Sequence, residues 1–472
     1  MPIEAIRLRR FRGFVDVRLP LAPLTVLLGP NSAGKSCFGH ALVGLAQAQR
    51  SAGGSPLDLA EPDGATTLTW PVDLGRFHDL RTTGIDGPVS LTMSTQYGDV
   101  ELDFGDVPQV SELSVTRIRY SETSELRLTS EHSGVSRLLA SNIAEGPPES
   151  AVNSHQTNEF RRSGANAWLD RHGRTLELAA NGLDVRAAWL AETGSAVSFP
   201  SGPGAFLATF LRSVRYLRAT RVAPLREYAR SKKEPEDVGP SGEWTADYLA
   251  TYGQKREIEV YEPPEPSRSA DAATKALDCP WTTRRLSLLD AVSFWLRHMR
   301  MAESVSASHT PDGRRARLDA TIRPDGHSRA LTDLGFGLSQ TVPVLVAGLE
   351  LKRDDLLVVE LPEAQLHPVP QALFADFFCS LVKLGARVLI ETHSEPLFHR
   401  LRVRAAFDRE LAGKIGAWFL DAANPTTGRC CEPRRVDLDD EFKWPEGFLV
   451  EGYADELALR AARSARRRQT KP

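Results

Sequence analysis

The octapeptide "GPNSAGKS", Gly29–Ser36, follows the apolar run "LTVLL", Leu24–Leu28, and leads into "SCFGHALVGLAQAQ", Ser36–Gln49. That succession leaves few folds open. A short, almost wholly apolar run reads as a buried parallel strand, and the apolar residues after Ser36 recur at helical spacing. Between them the octapeptide matches G-x-x-x-x-G-K-[ST] in full, the pattern of a loop that wraps a phosphate. Gly29 and Gly34 permit backbone conformations that a Cβ would block. With Pro30, Asn31, Ser32 and Ala33 they form a turn whose backbone faces the anion. Lys35 is placed to reach the β- and γ-phosphates, and Ser36 to offer a hydroxyl to Mg²⁺. The helix that follows directs its positive N-terminal end at the same anion.

Strand-then-helix patterning returns after Asp354. "DDLLVVEL" reads as a buried strand, "PVPQALFADFFCSLVKLG" as a helix, and "ARVLIETHS" and "KIGAWFLDA" as two more strands. The nucleotide-binding core is therefore expected to be split, with residues 1–50 and 325–425 enclosing an insertion at 51–324. Within the insertion, "PVSLTMSTQYGDVELDFG" and "SELSVTRIRYSETSELRLTS" alternate like antiparallel strands. Asn142–Thr157 and Ser231–Gly242 read as polar loops, and Arg284–Met299 as an amphipathic helix. Residues 426–472 are expected to form a short C-terminal domain with a basic tail. The expected fold class is α/β, a P-loop core interrupted by a large mixed α+β insertion.

Three further clusters carry candidate chemistry. Glu360 closes the apolar strand "LLVVE", where such folds place the acid that holds Mg²⁺. Glu363, just beyond it, either aligns a water or favours the helix that follows through its charge. In "LTDLGFGLSQ", Gly335 and Gly337 free backbone N–H groups at a helix start, and Ser339 adds a hydroxyl. This is either a second anion site or an ordinary glycine turn. His393, in "LIETHSE", stands at the C-terminal end of a strand, where open α/β sheets meet their ligands.

Bulk properties narrow the class. The 472 residues carry a net charge of −3, which argues against a surface coated by nucleic acid. Basic clusters at Arg7–Arg12 and Arg463–Lys471 are local. Five scattered cysteines have no C-x-x-C pair, as fits a reducing cytoplasm. No apolar run approaches the roughly 20 residues needed to span a bilayer, and the start lacks the apolar segment of a secretory signal. The expectation is a cytoplasmic protein with no membrane partner.

The order "GPNSAGKS", "GFGLSQ", "VVELPEAQLHP", "ETHS" resembles the ABC-type ATPase heads of the RecF, SMC and OLD-like group. It is most similar there to the bacterial AAA-family predicted ATPases that end in a short C-terminal domain of unknown function. "LGRFHDL", "VAPLREY", "VGPSGE" and "WPEGF" add to that likeness. The resemblance implies ATP and Mg²⁺ as cofactors, Walker A at Gly29–Ser36 and a Walker B acid at Glu360. It also implies a signature at Gly335–Gln340, including Gly337, Ser339 and Gln340, and a switch histidine at His393. Such heads form a homodimer that sandwiches ATP, the signature of one chain closing on the γ-phosphate held by the other. One position departs from the pattern. Leu361 stands where these heads place a catalytic glutamate directly after the Walker B acid, so Glu363 or His393 takes over, or hydrolysis is slow. The resemblance implies an ATPase switch acting on DNA or in antiviral defence with a separate effector such as a nuclease. The alternatives are an ATP-gated scaffold, an OLD-like nuclease component and, least well matched, a transporter subunit. "FLVEGYADELAL", with Glu451, is similar to the opening of a Toprim nuclease domain, but the later Asp-x-Asp has no room.

Overall fold

In the computed structural model, the described residues are 3–51, 72–74, 77–96, 98–107, 202–231, 234–264, 281–322, 326–424 and 426–438, with eight further strands between 111 and 198. The expected loop at residues 143–157, "WPEGF", Glu451 and the basic tail lie outside them.

The core is a six-stranded sheet ordered Val214–Leu217, Leu356–Glu360, Arg387–Glu391, Leu24–Leu28, Ile415–Phe419 and Arg434–Val436. The first five strands run parallel and the last antiparallel. Because strand side chains alternate between faces, the apolar runs divide between two cores. Leu27, Leu356, Val358 and Leu389 face the helices Lys35–Ser51 and Gly202–Arg212, through Phe38, Leu42, Leu45, Leu207 and Leu211. Leu24, Val26, Leu28, Leu357, Val359, Val388 and Ile390 face the other way. There they meet the helices Leu288–His298, Phe336–Leu349 and Pro368–Lys383. Both faces are covered, which is why these strands read as continuous apolar runs.

Val214–Leu217 lies inside the range expected as insertion, yet it pairs in register with Leu356–Val359 and forms an edge of the core sheet. Arg434–Val436, in the expected C-terminal domain, forms the other edge. The strands Ala5–Phe11 and Phe14–Pro20 belong to a second, twelve-stranded antiparallel sheet, which the segments from Val89 to Ser198 extend as a meander. The alternating pattern in the insertion is thus realised as strands. The expected helix at Arg284–Met299 begins later. Thr282–Ser287 is a strand paired with Glu257–Glu262, and the helix starts at Leu288, where the Ser287 hydroxyl accepts from the Asp290 N–H at 3.1 Å. No helix among the described residues is long and apolar enough to cross a membrane.

Candidate nucleotide site

Five parallel strands end along one edge of the core sheet, and this edge gathers the candidate residues. Leu28 leads into Gly29, Glu360 and Glu391 are directly paired strand ends, and Leu217 leads into Arg218–Arg221. Ligands of open α/β sheets bind along this edge.

The loop needs its glycines. Gly29 has φ +137°, and a Cβ there would lie 2.2 Å from the Leu420 carbonyl oxygen. Gly34 has φ +89° with the Phe14 ring and Cys430 Sγ behind it. The Lys35 side chain is buried, and its ammonium donates to the carbonyls of Gly29 at 3.0 Å and Pro30 at 2.7 Å. Burial pushes the Lys35 pKa down, against the opposing pull of Glu391 and Glu363. A buried cation inside a turn whose two glycines admit no Cβ fits a bound phosphate chain.

Glu360 is where the sequence places it, at the end of its strand, but its partners are His40, Tyr216 and the Ala219 N–H. Burial would raise its pKa. The donors from His40 and Tyr216, with Ala219, outweigh that and hold the carboxyl below its ordinary value. The Ser36 hydroxyl donates instead to Glu391 Oε2 at 2.7 Å. Burial and the nearby Glu360 charge raise the Glu391 pKa, although Ser36 and Lys35 oppose them. Glu391, His40, Tyr216 and Arg221 are residues that the sequence reading did not single out.

Glu363 is buried, and its Oε1 accepts from the His393 backbone N–H at 2.8 Å. Its Oε2 accepts no hydrogen bond. Burial therefore lifts the Glu363 pKa above its ordinary value despite the His393, Thr392 and Arg221 contacts. The Arg221 guanidinium reaches the carbonyls of Glu360 at 2.8 Å and Leu361 at 3.3 Å, and burial pushes its pKa down to about 10. Arg221 Nε and Nη1 are buried without hydrogen-bond partners. His393 is exposed beside the Gly29 backbone; partial burial of the ring and then the Lys35 charge lower its pKa, with Gly29 opposing them. Glu363, His393 and the phosphate loop thus form one constellation.

The signature segment stands at the start of the helix Phe336–Leu349, with Gly335 as its N-cap. Gly337 lies against the turn after Glu360, where a Cβ would come within 2.8 Å of the Gln365 carbonyl oxygen. Ser339 and Gln340 are buried. The Ser339 hydroxyl donates to the Phe336 carbonyl at 2.7 Å, and Gln340 Nε2 donates to the Val222 carbonyl at 3.3 Å. Gly335 and Phe336 are the exposed members. An anion at this turn would meet backbone N–H groups first, and the Ser339 hydroxyl only after its bond to Phe336 opened.

Oxygen donors dominate the edge: the Ser36 hydroxyl and the carboxylates of Glu360 and Glu391. Such hard donors suit Mg²⁺, which keeps few protein ligands and draws the rest from phosphates and water.

Residues 289–397 match a family model described as an AAA ATPase domain. The matched segment includes Gly335–Gln340, Glu360, Glu363 and His393; Gly29–Ser36 lies outside it. No curated protein matches the chain. Among solved structures, it is similar to an SMC head bound to the C-winged helix domain of ScpA, at 11% identity and a TM-score of 0.38, over 93% of this chain and 98% of that one. It is similar to the SMC head domain from Thermotoga maritima at 9% identity and a TM-score of 0.34, over 92% and 99%. It is also similar to an SMC head with an extended coiled coil bound to the C-terminal domain of ScpA, derived from Pyrococcus furiosus, at 10% identity and a TM-score of 0.38, over 98% and 99%. Residues 289–397 thus match an AAA ATPase domain, within an α/β core whose strand, glycine loop and helix have the P-loop pattern.

Proposed function

We propose that the chain binds Mg²⁺–ATP at Gly29–Ser36 and uses it as a slowly hydrolysed switch that brings two copies together. The observation that carries this reading is the convergence of a buried Lys35 on its glycine turn, Ser36 on a strand-end carboxylate, and Glu363 with His393 beside the loop. Lys35 would bind the β- and γ-phosphates and Ser36 would face the metal. His393 would sit at the γ-phosphate side through its contact with Gly29. Mg²⁺, when bound, supplies charge neutralisation on the phosphates. Replacing Lys35 by alanine removes charge-assisted bonds worth about 1.5–3 kcal/mol, roughly ten- to a hundredfold in affinity. Calorimetric titration with ATP checks this, and undiminished binding by Lys35→Ala would refute the loop assignment.

Association of two heads through the signature turn is supported by what that turn exposes. Phe336 is 44% exposed and Val369, in the first turn of the neighbouring helix, 41%. These are the apolar groups that a second copy closing on the turn would cover. Phe336→Asp should abolish an ATP-dependent mass increase in light scattering while sparing ATP binding by the single chain. Ser339 is a poorer probe, because its burial means that a large substitution would disturb the helix itself.

Leu361 favours a second reading, an ATP-gated scaffold with negligible turnover, since leucine cannot orient or deprotonate water. A separate effector, a nuclease among the candidates, and a role in DNA-related or antiviral defence follow from the resemblance of the motifs. Co-purification with an ATP-trapped form from native cells tests that part directly.

A further inference from the structure

The two strand-end carboxylates beside the phosphate loop are not equivalent. Glu360 is already committed. Its Oε1 accepts from His40 Nε2 at 2.9 Å and from the Tyr216 hydroxyl at 3.0 Å, and its Oε2 from the Ala219 N–H at 3.3 Å. The direction of the His40 bond is fixed, because His40 Nδ1 faces the Arg12 guanidinium at 3.2 Å, and a guanidinium can only donate. Nδ1 is therefore the acceptor, and the ring proton sits on Nε2, facing Glu360. Donors from the loop helix, the edge strand and the segment after it hold this carboxylate, and none comes from the phosphate loop itself.

Glu391 has the opposite surroundings. It occupies the strand between Leu24–Leu28 and Leu356–Glu360, nearest the loop. Its Oε2 accepts the Ser36 proton at 2.7 Å, and its Oε1 lies 3.8 Å from Lys35 Nζ. With the Ser36 proton committed to Glu391, the lone pairs of Ser36 Oγ remain for a cation. A carboxylate that takes the proton of a metal-ligating group both orients that ligand and makes it a better donor.

We infer that Glu391, rather than Glu360, is the acid through which this site recruits Mg²⁺, by orienting the Ser36 hydroxyl and supplying the negative charge beside it. Glu360 is then a positioning residue that ties the loop helix to Tyr216. The inference rests on the reading of Gly29–Ser36 as an ATP loop.

The test is the Mg²⁺ dependence of binding, read without turnover. A non-hydrolysable ATP analogue is titrated by calorimetry into the parent, Glu391→Gln, Glu391→Asp and Glu360→Gln, once with Mg²⁺ and once with EDTA. Glu391→Gln keeps the shape and an acceptor for Ser36 but loses the charge. Its Mg²⁺-to-EDTA affinity ratio should fall about tenfold or more below the parent's, the worth of one charge-assisted contact, while its affinity in EDTA changes little. Glu391→Asp retains the charge and should keep more of the ratio. A merely structural role would lower both affinities together, and that result overturns the inference. So does loss of the ratio confined to Glu360→Gln, or a smaller ratio for Glu391→Asp than for Glu391→Gln. A parent that binds in EDTA with no gain from Mg²⁺ overturns the inference and leaves the ATP loop standing. A parent that binds in neither condition removes the loop reading, and the inference with it.

Discussion

Leu361→Glu should raise steady-state phosphate release by about 10²-fold or more, the usual worth of a group that orients and deprotonates the attacking water. The parent rate is expected below about 1 s⁻¹, the low end of ordinary enzymes. The backbone at this position is firmly held. Leu361 has φ +43°, its N–H donates to the Glu391 carbonyl at 2.8 Å, and its own carbonyl accepts from Arg221. A non-glycine residue persists at positive φ only where its surroundings over-determine it. Glutamate, unbranched at Cβ like leucine, can take the same backbone without added strain.

The competing base is Glu363, whose free Oε2 and burial beside His393 suit a group that holds water. The two cases separate cleanly in phosphate-release assays of the parent, Leu361→Glu, Glu363→Gln and the double variant. If Glu363 is idle, Glu363→Gln leaves the Leu361→Glu rate nearly unchanged. Brisk parent turnover that Glu363→Gln abolishes would make Glu363 the base and end the slow-switch reading. The pH profile adds a second check. A base acts deprotonated, and burial raises the Glu363 pKa. Parent activity that depends on it must therefore fall away at a pH above the ordinary glutamate value of about 4.3.

Why Glu360 stood out from the sequence and Glu391 did not is a matter of topology. "LLVVE" and "RVLIE" have the same pattern, an apolar run closed by an acid. Periodicity identifies both as buried strands, but not which lies next to "LTVLL". That order, set by long-range pairing, decides which acid Ser36 meets. The phosphate loop needed no such information, because strand, turn and helix are contiguous there. Val214–Leu217, "VRYL", was hidden for the related reason that a four-residue strand with two polar members has little pattern of its own. It is defined by its partner. Ser339 shows the reverse case. Its helix is apolar on every side and buried throughout after Gly337, so a hydroxyl that reads as available for an anion is turned back to the Phe336 carbonyl. Tyr216, His40 and Arg221 become neighbours of Glu360 only after three separated segments have assembled.

Asp376→Asn should cost about 3–5 kcal/mol of stability, the usual result of removing one partner from a buried charge cluster. Asp376 has no exposure, and it accepts from His298 Nε2 at 2.9 Å, from Arg400 Nε and Nη2 at 2.9 Å each, and from Arg404 Nε at 2.6 Å. Burial alone would raise its pKa, yet these donors hold it far below the ordinary carboxylate range. The sign follows. A depressed folded-state pKa adds stability that is complete above the unfolded value of about 3.9 and is lost as pH falls below it. The deficit of Asp376→Asn should therefore be full at neutral pH and shrink towards strong acid. Arg400→Leu should cost less, because His298 and Arg404 still satisfy the carboxylate. The three helices clamped here include Pro368–Lys383, which follows the Glu363 turn, and Glu395–Phe407, which follows His393. Their first turns are tied as well, by a 2.8 Å bond between Ser394 Oγ and Gln371 Oε1. Loosening the clamp should thus reach the site, weakening ATP-dependent association as well as raising susceptibility to denaturant. Equilibrium denaturant unfolding followed by tryptophan fluorescence, sensitive here through Trp295 against His298 and Phe377, measures the first effect. A loss below about 1 kcal/mol, the scale of an exposed ion pair, would show that apolar packing rather than the charge cluster sets the spacing of these helices.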